Sequence, residues 1–461
     1  MSKKYDFQYI VIGSGPAGST VATTLAKAKK SVALIEDRFF GGTNLNTFDV
    51  PYAVALDFAH TYAKFTTFPE LRRQSFSFNL PSLISRELNT VIAAGGNDRK
   101  LLEESGVICF NGFANFLDPH TIAVKTKKLT ARHFILATGA HLKATEISGL
   151  DTTNYLTPET AIKTRHLPEV VAIIGAGATG CEIATYYAEL GSKVILFDMN
   201  ERILPREDSE VSLALTDYFT KKLGTTVLYT CKVVAIGEDN ASKYVIFRFG
   251  DSEKMVRVSD IVLATGSEPN VNFGLDNAGV KFKNTGITVN KYFETSAKHI
   301  YAIGDCIGGD SSTDIAAQQG LSLANNLVQK KSKTPINYQG SIRFINTPIP
   351  VATVGLNSYD LTKRDRKCKK STINLTDITA GKIDGLTTGF VKLYADSSRF
   401  IIGATILAPH ADLIAQEIAF AIRHHKTALE LASTPHLQNS YTYAIKLAAR
   451  KLVTQKLIAK H

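Results

Sequence analysis

The pattern of apolar and polar positions sets up a strand–helix–strand rhythm twice, each time with a glycine-rich hinge. Residues 9–12 are a continuous apolar run of the kind that lies buried in a parallel sheet. They lead into Gly13-x-Gly15-x-x-Gly18, a helical pattern follows over residues 19–29, and the next apolar run, 31–35, ends at Glu36. The order recurs from residue 170: an apolar strand, Gly175-x-Gly177-x-x-Gly180, a helix through 188 stopped by Gly191, a strand at 193–197, and Asp198. Strand, glycine turn, helix, strand, acid is the complete unit that holds a dinucleotide. Its first glycine permits the tight turn and its second lets backbone approach a pyrophosphate at the positive helix end. The third lets helix pack on strand, and the acid binds ribose hydroxyls. A lone glycine fingerprint is weak; with these flanks and the acid near 20 residues on, it is specific.

The acids separate the two sites. Asp198 accepts hydrogen bonds from a free ribose hydroxyl and repels a phosphate there, so the second site is expected to take NAD in preference to NADP, with Arg202 the nearby residue that weakens the discrimination. Farther on, apolar runs at 351–354, 390–394 and 400–406 read as strands, and 411–423 and 441–456 read as helices.

Size and composition agree with a chain of several domains. The 461 residues suffice for about three domains of ~150 residues each. An apolar fraction of 44% and a charged fraction of 21% are ordinary for buried cores. No apolar run approaches the ~20 residues of a membrane span, and Lys3-Lys4 leads straight into a strand pattern without a leader-like segment, so a cytoplasmic protein is expected. The net charge of +11 favours anionic partners and is partly local: residues 363–370, KRDRKCKK, hold six basic residues and one acid, read as a solvated loop. No nucleic-acid-binding motif accompanies it. Cys109, Cys181, Cys231, Cys306 and Cys368 lie far apart, with no disulfide framework and no metal-ligand spacing. Cys181 and Cys306 sit inside glycine motifs, where each reads as a small buried residue.

Two dinucleotide units in this order resemble the class I pyridine nucleotide-disulfide oxidoreductases, the flavoprotein family of dihydrolipoamide dehydrogenase, glutathione reductase and mercuric reductase. Ala137-Thr138-Gly139 and Ala264-Thr265-Gly266 are similar to that family's two strand ends, Thr295 with 301–305 (YAIGD) to its second flavin motif, and 344–355 (FINTPIPVATVG) to the start of its dimerisation domain. The resemblance implies an α/β fold: two Rossmann-like dinucleotide-binding domains, for FAD and NAD, plus a C-terminal α+β dimerisation domain. FAD would occupy a discontinuous domain, residues 1–151 with 271–334. NAD would occupy 152–270, and 335–461 would form the interface of a homodimer. Gly13, Gly15, Gly18, Glu36, Gly42, Thr43, Gly139, Gly304 and Asp305 are the implied FAD residues, with Asp305 on the ribityl chain. Gly175, Gly177, Gly180, Asp198 and Gly266 are implied for NAD.

The resemblance fails at two places. The family signature GGTCxNxGCxPxK is matched at Gly41, Gly42, Thr43, Asn46 and Pro51, but Asn44 and Asp49 stand at the two redox cysteines, Phe48 at the glycine and Ala53 at the lysine. That lysine pairs in the family with a glutamate near the flavin, which corresponds to Glu182 here. Left without it, Glu182 is expected to hold a proton more readily. In 434–439, TPHLQN, Thr434 and Asn439 replace the family's acid–base histidine and its orienting glutamate; His436, two residues on, reads as a packing or surface residue. Neither asparagine nor aspartate relays electrons as a thiolate does. The expectation is an FAD-dependent NADH:acceptor oxidoreductase delivering electrons directly to a quinone, metal complex, dye or dioxygen, with Glu182 its candidate catalytic residue and no metal site. A transhydrogenase-like enzyme and a redox-inert flavoprotein serving as sensor or assembly partner are the alternatives. Phe48, Tyr52 and Phe58 either fill the altered loop or stack on a flat acceptor. The basic amphipathic tail, 445–458, reads as a dimer-interface helix in preference to one that touches acidic lipid.

Overall fold

The computed structural model describes residues 5–67, 77–97, 99–240, 242–309, 312–329 and 333–455. Its first sheet has seven strands, ordered Ile108–Asn111, Val32–Glu36, Phe7–Ile12, Lys127–Leu136, Thr121–Val124 and Ala114–Asp118, with Ile300–Ala302 added along Lys127–Leu136. The first four of these and the added one pair in parallel, and the inner ones are covered on both faces. Buried on both faces, they need near-continuous apolar runs, and Ile10, Val11, Leu34, Ile35, Phe134 and Ile135 are all sealed from solvent. The sheet is thus assembled from two stretches of chain that flank the second glycine unit.

That second unit builds its own parallel sheet: Thr226–Leu228, Lys193–Phe197, Val170–Ile174 and Asp260–Leu263. An antiparallel meander follows it in space, Cys231–Glu238, Lys243–Phe249 and Ser252–Val258. The C-terminal part is a five-stranded antiparallel sheet ordered Ile342–Ile345, Val351–Gly355, Ile401–Leu407, Phe390–Ala395 and Lys369–Asn374.

Helix Ala411–Arg423 has the span read from sequence, whereas the tail helix is Tyr443–Thr454, shorter than expected. Its apolar stripe, Ile445, Ala448, Ala449 and Leu452, is buried in one core with Ile373, Val391 and Leu393 of its own chain's sheet. This part of the amphipathic pattern, Leu452 included, is taken up within the subunit. Lys456, Leu457 and Ile458 lie outside the described residues. The first-unit helix is Pro16–Lys27, beginning at the turn because proline is tolerated in the first helical turn, where its missing N–H has no acceptor to lose.

The segment that departs from the family signature folds as two helices, Gly42–Thr47 and Asp49–Thr67. The second packs against helix Ala178–Leu190 of the second unit, burying Tyr52, Leu56 and Ala59 with Ile183, Tyr186 and Tyr187. The same core takes Ile345, Ile349 and Val351 from the C-terminal sheet. All three parts of the molecule meet at this junction, and the candidate site forms around it.

Candidate active site

The first glycine turn repeats the logic read from sequence. Gly13 has φ +100°, and a Cβ there would lie 2.2 Å from the Ala137 carbonyl oxygen; one on Gly18 would lie 1.9 Å from the Gly13 oxygen. A Cβ added to Gly15 would meet nothing within 4 Å, which leaves room for a ligand at the helix N-terminus. Gly42 presses on Gly15, where a Cβ would sit 2.5 Å from the Gly15 Cα, and Gly139 faces open space at φ +69°. Gly13, Gly15, Glu36, Gly42, Thr43 and Gly139 line one cavity of about 310 Å³. This cradle fits the pyrophosphate and ribose of a flavin dinucleotide.

Glu36 is buried at the strand end and engaged on both oxygens: Ser14 N–H and Oγ–H donate to Oε2 at 2.8 and 2.6 Å, and Arg38 N–H donates to Oε1 at 2.9 Å. Ser14 was not singled out in the sequence, although its place inside the turn makes it the natural partner of the acid. Gly304 and Asp305 open a short 3-10 helix, Gly304–Ile307, beyond the added strand of the first sheet. The Gly304 N–H donates to Gln319 Oε1 at 2.6 Å, and Gly304 abuts Ala17 of the first helix.

The second turn is a near copy. Cβ atoms on Gly175 and Gly180 would lie 2.3 Å from the Ala264 oxygen and 1.8 Å from the Gly175 oxygen, while Gly177 and Gly266 face open space. Asp198 is buried, accepting from Ala176 N–H at 2.6 Å on Oδ2 and from both the backbone and side chain of Asn200 at 2.7 Å on Oδ1. Arg202 turns away to the carbonyl oxygens of Pro205 and Glu207, at 3.0 and 3.1 Å.

Asn44 and Asp49, from opposite sides of Phe48, converge on one hydroxyl. Asn44 Nδ2 donates to Thr313 Oγ1 at 2.7 Å, and that hydroxyl donates to Asp49. Asp49 is raised above the ordinary carboxyl range by desolvation, with Thr313 opposing and Asp314 and Asp305 adding. Thr313 heads helix Thr313–Gln329, more than 260 residues along the chain from its partners. Nothing in the local pattern at residue 313 announced this role.

Glu182, on the helix that begins at the second turn, receives Asn346 N–H on Oε1 at 2.8 Å. Desolvation pushes its carboxyl up to about 7, against the hydrogen bond from Asn346 and with a further push from Asp49. From Asn346 a chain continues: its Oδ1 meets His60 Nε2 at 3.1 Å, and His60 Nδ1 meets Glu189 Oε2 at 2.7 Å. Both ring nitrogens of His60 face oxygen acceptors, which favours its protonated form. Burial lowers its proton affinity, but Glu189 and Asn346 together outweigh that and raise it. Glu182 and Glu189 are two helical turns apart on one face, and His60 projects from the facing helix. Asn346, His60 and Glu189 were missed in the sequence, since only packing brings them together.

The aromatic residues near the altered loop pack. Phe48 stacks on Tyr52 at 5.3 Å between ring centres, Tyr52 is buried with its hydroxyl on the Pro158 carbonyl, and Phe58 meets Tyr62 and Phe78. His436 is fixed between Glu417 Oε1 and the Thr434 carbonyl, both at 2.9 Å. All five cysteines are unpaired, and four are buried. Burial raises Cys109 and Cys231 to about 11 and Cys306 to about 12, and carries Cys181 well up, so none is a ready thiolate. Among the described residues, no helix is long and apolar enough to cross a membrane.

Comparison with known proteins yields a consistent assignment. Residues 7–324 match the family described as pyridine nucleotide-disulphide oxidoreductase, and 342–449 match its dimerisation domain. The chain is 30% identical to a mercuric reductase of Streptomyces lividans over 96% of each chain. It is 29% identical to a dihydrolipoyl dehydrogenase of Mycobacterium leprae over 95% of this chain and 97% of the relative. The crystal structure of LpdA from Mycobacterium tuberculosis superposes with a TM-score of 0.86 at 25% identity, covering 96% of this chain and 99% of that one. By sequence, by fold and by the paired glycine turns, the chain belongs to the pyridine nucleotide-disulphide oxidoreductase family, whose members bind FAD and NAD(P).

Proposed function

We propose that this protein is an FAD-dependent NADH:acceptor oxidoreductase that passes electrons from the flavin directly to a small non-disulfide acceptor such as a quinone, a metal complex, a dye or dioxygen. One observation carries the reading. Where the family signature has its cysteine pair, this chain has Asn44 and Asp49, joined through the Thr313 hydroxyl. A carboxyl, an amide and a hydroxyl make a polar, sulfur-free wall, and four of the chain's five thiols are buried elsewhere.

Bound FAD supplies the reversible two-electron chemistry, taking a hydride from NADH and yielding electrons to an acceptor. The protein's part is binding and protonation. Residues 1–151 and 271–334 form the FAD domain, with Gly13 and Gly18 shaping the turn, Gly15 opening it to the pyrophosphate at the helix N-terminus, Glu36 the ribose acceptor, and Asp305 the partner of the ribityl chain. Residues 152–270 hold NADH on Gly175, Gly177, Gly180 and Asp198, and the nearby Arg202 is engaged by the carbonyl oxygens of Pro205 and Glu207. Glu182 carries a proton near neutral pH and orients the nicotinamide. Residues 335–461 pair two subunits.

Anaerobic stopped-flow mixing with NADH tests the reading. The flavin should bleach, recolour on addition of a quinone or ferric complex, and leave lipoamide and oxidised glutathione unreduced at enzymic rates. A flavin that stays oxidised points to the redox-inert alternative, and efficient disulfide turnover overturns the proposal. NADPH reducing the flavin as well as NADH would remove the role given to Asp198.

A further inference from the structure

We propose that the cleft between helix Thr313–Gln329 and the far end of the C-terminal sheet is a binding site for a small amphipathic anion, an apolar body bearing a phosphate or carboxylate. The cleft is a cavity of about 580 Å³, within the range of small-molecule pockets. It is separate from the glycine-turn cavity, with which it shares no lining residue. Its apolar wall comes from Ile315, Leu356, Ile402 and Ile422.

The charge at its rim is unbalanced. Arg364 and Arg366, both exposed, reach the cavity from the basic run 363–370, and no carboxylate pairs with either among the described residues. Against Arg343, Arg364 and Arg366 the lining sets two acids, Asp360, paired by Arg343 at 3.5 Å, and Asp396, which accepts the Phe400 N–H at 2.9 Å, so a positive excess remains. Tyr338 adds a directed donor. Its oxygen accepts from Gln319 Nε2 at 3.1 Å, and Gln319 is itself anchored on the Gly304 N–H, so the phenol is held in place with its own proton left to give. Two guanidinium groups and a fixed hydroxyl beside an apolar wall select an oxyanion attached to a hydrophobic body. The basic run thus gains a use that its sequence alone did not reveal.

The experiment uses the FAD-loaded full-length protein in saturating NAD⁺, which occupies the second glycine turn, with 1-naphthyl phosphate as probe in equilibrium dialysis. One probe should bind per chain, roughly 10-fold or more tighter than inorganic phosphate or 1-naphthol, and weaken as salt rises. R364E/R366E, changed at exposed positions and checked for an unaltered flavin spectrum and Tm, should weaken binding roughly 10-fold or more, and Tyr338→Phe by a smaller factor. Absence of saturable binding, affinity unchanged in R364E/R366E, or inorganic phosphate binding as tightly as the probe each overturns the proposal.

Discussion

Glu182 concentrates the chemistry of the residue scale. A carboxyl held at about 7 by desolvation is protonated in the fold at pH values where the unfolded chain has already released its proton. Its folded pKa lies above its unfolded one, so its contribution to stability is complete below the unfolded pKa, near 4.3, and is lost as pH rises through about 7. Urea midpoints at pH 5 and pH 8 should therefore differ less in Glu182→Gln than in the parent. The same substitution should slow flavin reduction by NADH on the order of 10- to 100-fold, the scale of a misplaced reacting group; an unchanged stopped-flow rate would remove Glu182 from the mechanism. The direction of the shift agrees with the expectation from sequence, and its cause is burial of the carboxyl. The sequence did not reveal that a backbone N–H, from Asn346, would occupy one carboxyl oxygen.

Between elements, the glycine turns and the zipped helices govern what change is tolerated. Gly180→Ala places a methyl 1.8 Å from backbone, whereas Gly177→Ala enters open space. The first should cost about 1–3 kcal/mol through forced helix displacement and abolish NADH binding. The second should leave the Tm nearly unchanged yet weaken NADH, because its methyl enters the room kept for the pyrophosphate. Calorimetry and NADH titration separate the two. Helices Asp49–Thr67 and Ala178–Leu190, with the 345–351 hairpin, share the relay Glu189–His60–Asn346–Glu182. His60→Ala and Asn346→Ala should each loosen the Asn346 N–H bond and move the Glu182 midpoint upward, followed by the infrared band of its protonated carboxyl. Because both act through one bond, the double variant should shift no further than either single one. The groups that bear on this titration are Asp49 and Tyr52 facing Glu182, and Glu189 and Lys64 beside His60.

At the scale of the whole molecule, a buried polar cluster ties the second nucleotide unit to the C-terminal sheet. Asp208, fully buried, receives Ser358 Oγ–H at 2.6 Å, the Tyr394 hydroxyl, and Lys392 Nζ at 3.0 Å; Lys392 also reaches Glu210 at 2.6 Å. Burial alone raises the Asp208 carboxyl, but Ser358, Tyr394 and Lys392 more than reverse this and hold it below the ordinary range. Its stabilising contribution is thus present above the unfolded pKa and is lost as pH falls through the lower folded one. Lys392→Met should cost about 3–5 kcal/mol, since it strands a buried carboxylate, and Asp208→Asn in the same chain should recover part of that loss in denaturant titrations. Such a joint fixes how the NAD-site helix, and Glu182 with it, meets the C-terminal part of the chain.

The elements themselves were legible because their signals are local. Apolar runs long enough for buried strands, glycines that alone permit φ near +100°, and acids closing each unit need only neighbouring residues to declare themselves. Asn44 and Asp49 were equally plain to read. What the sequence could not convey was which distant groups would meet there: Thr313 between Asn44 and Asp49, Asn346 on Glu182, and His60 with Glu189. These partners lie on elements that become neighbours only when three cores close against one another, and hydrogen bonding at about 3 Å selects among residues by position in space, with no trace in their spacing along the chain.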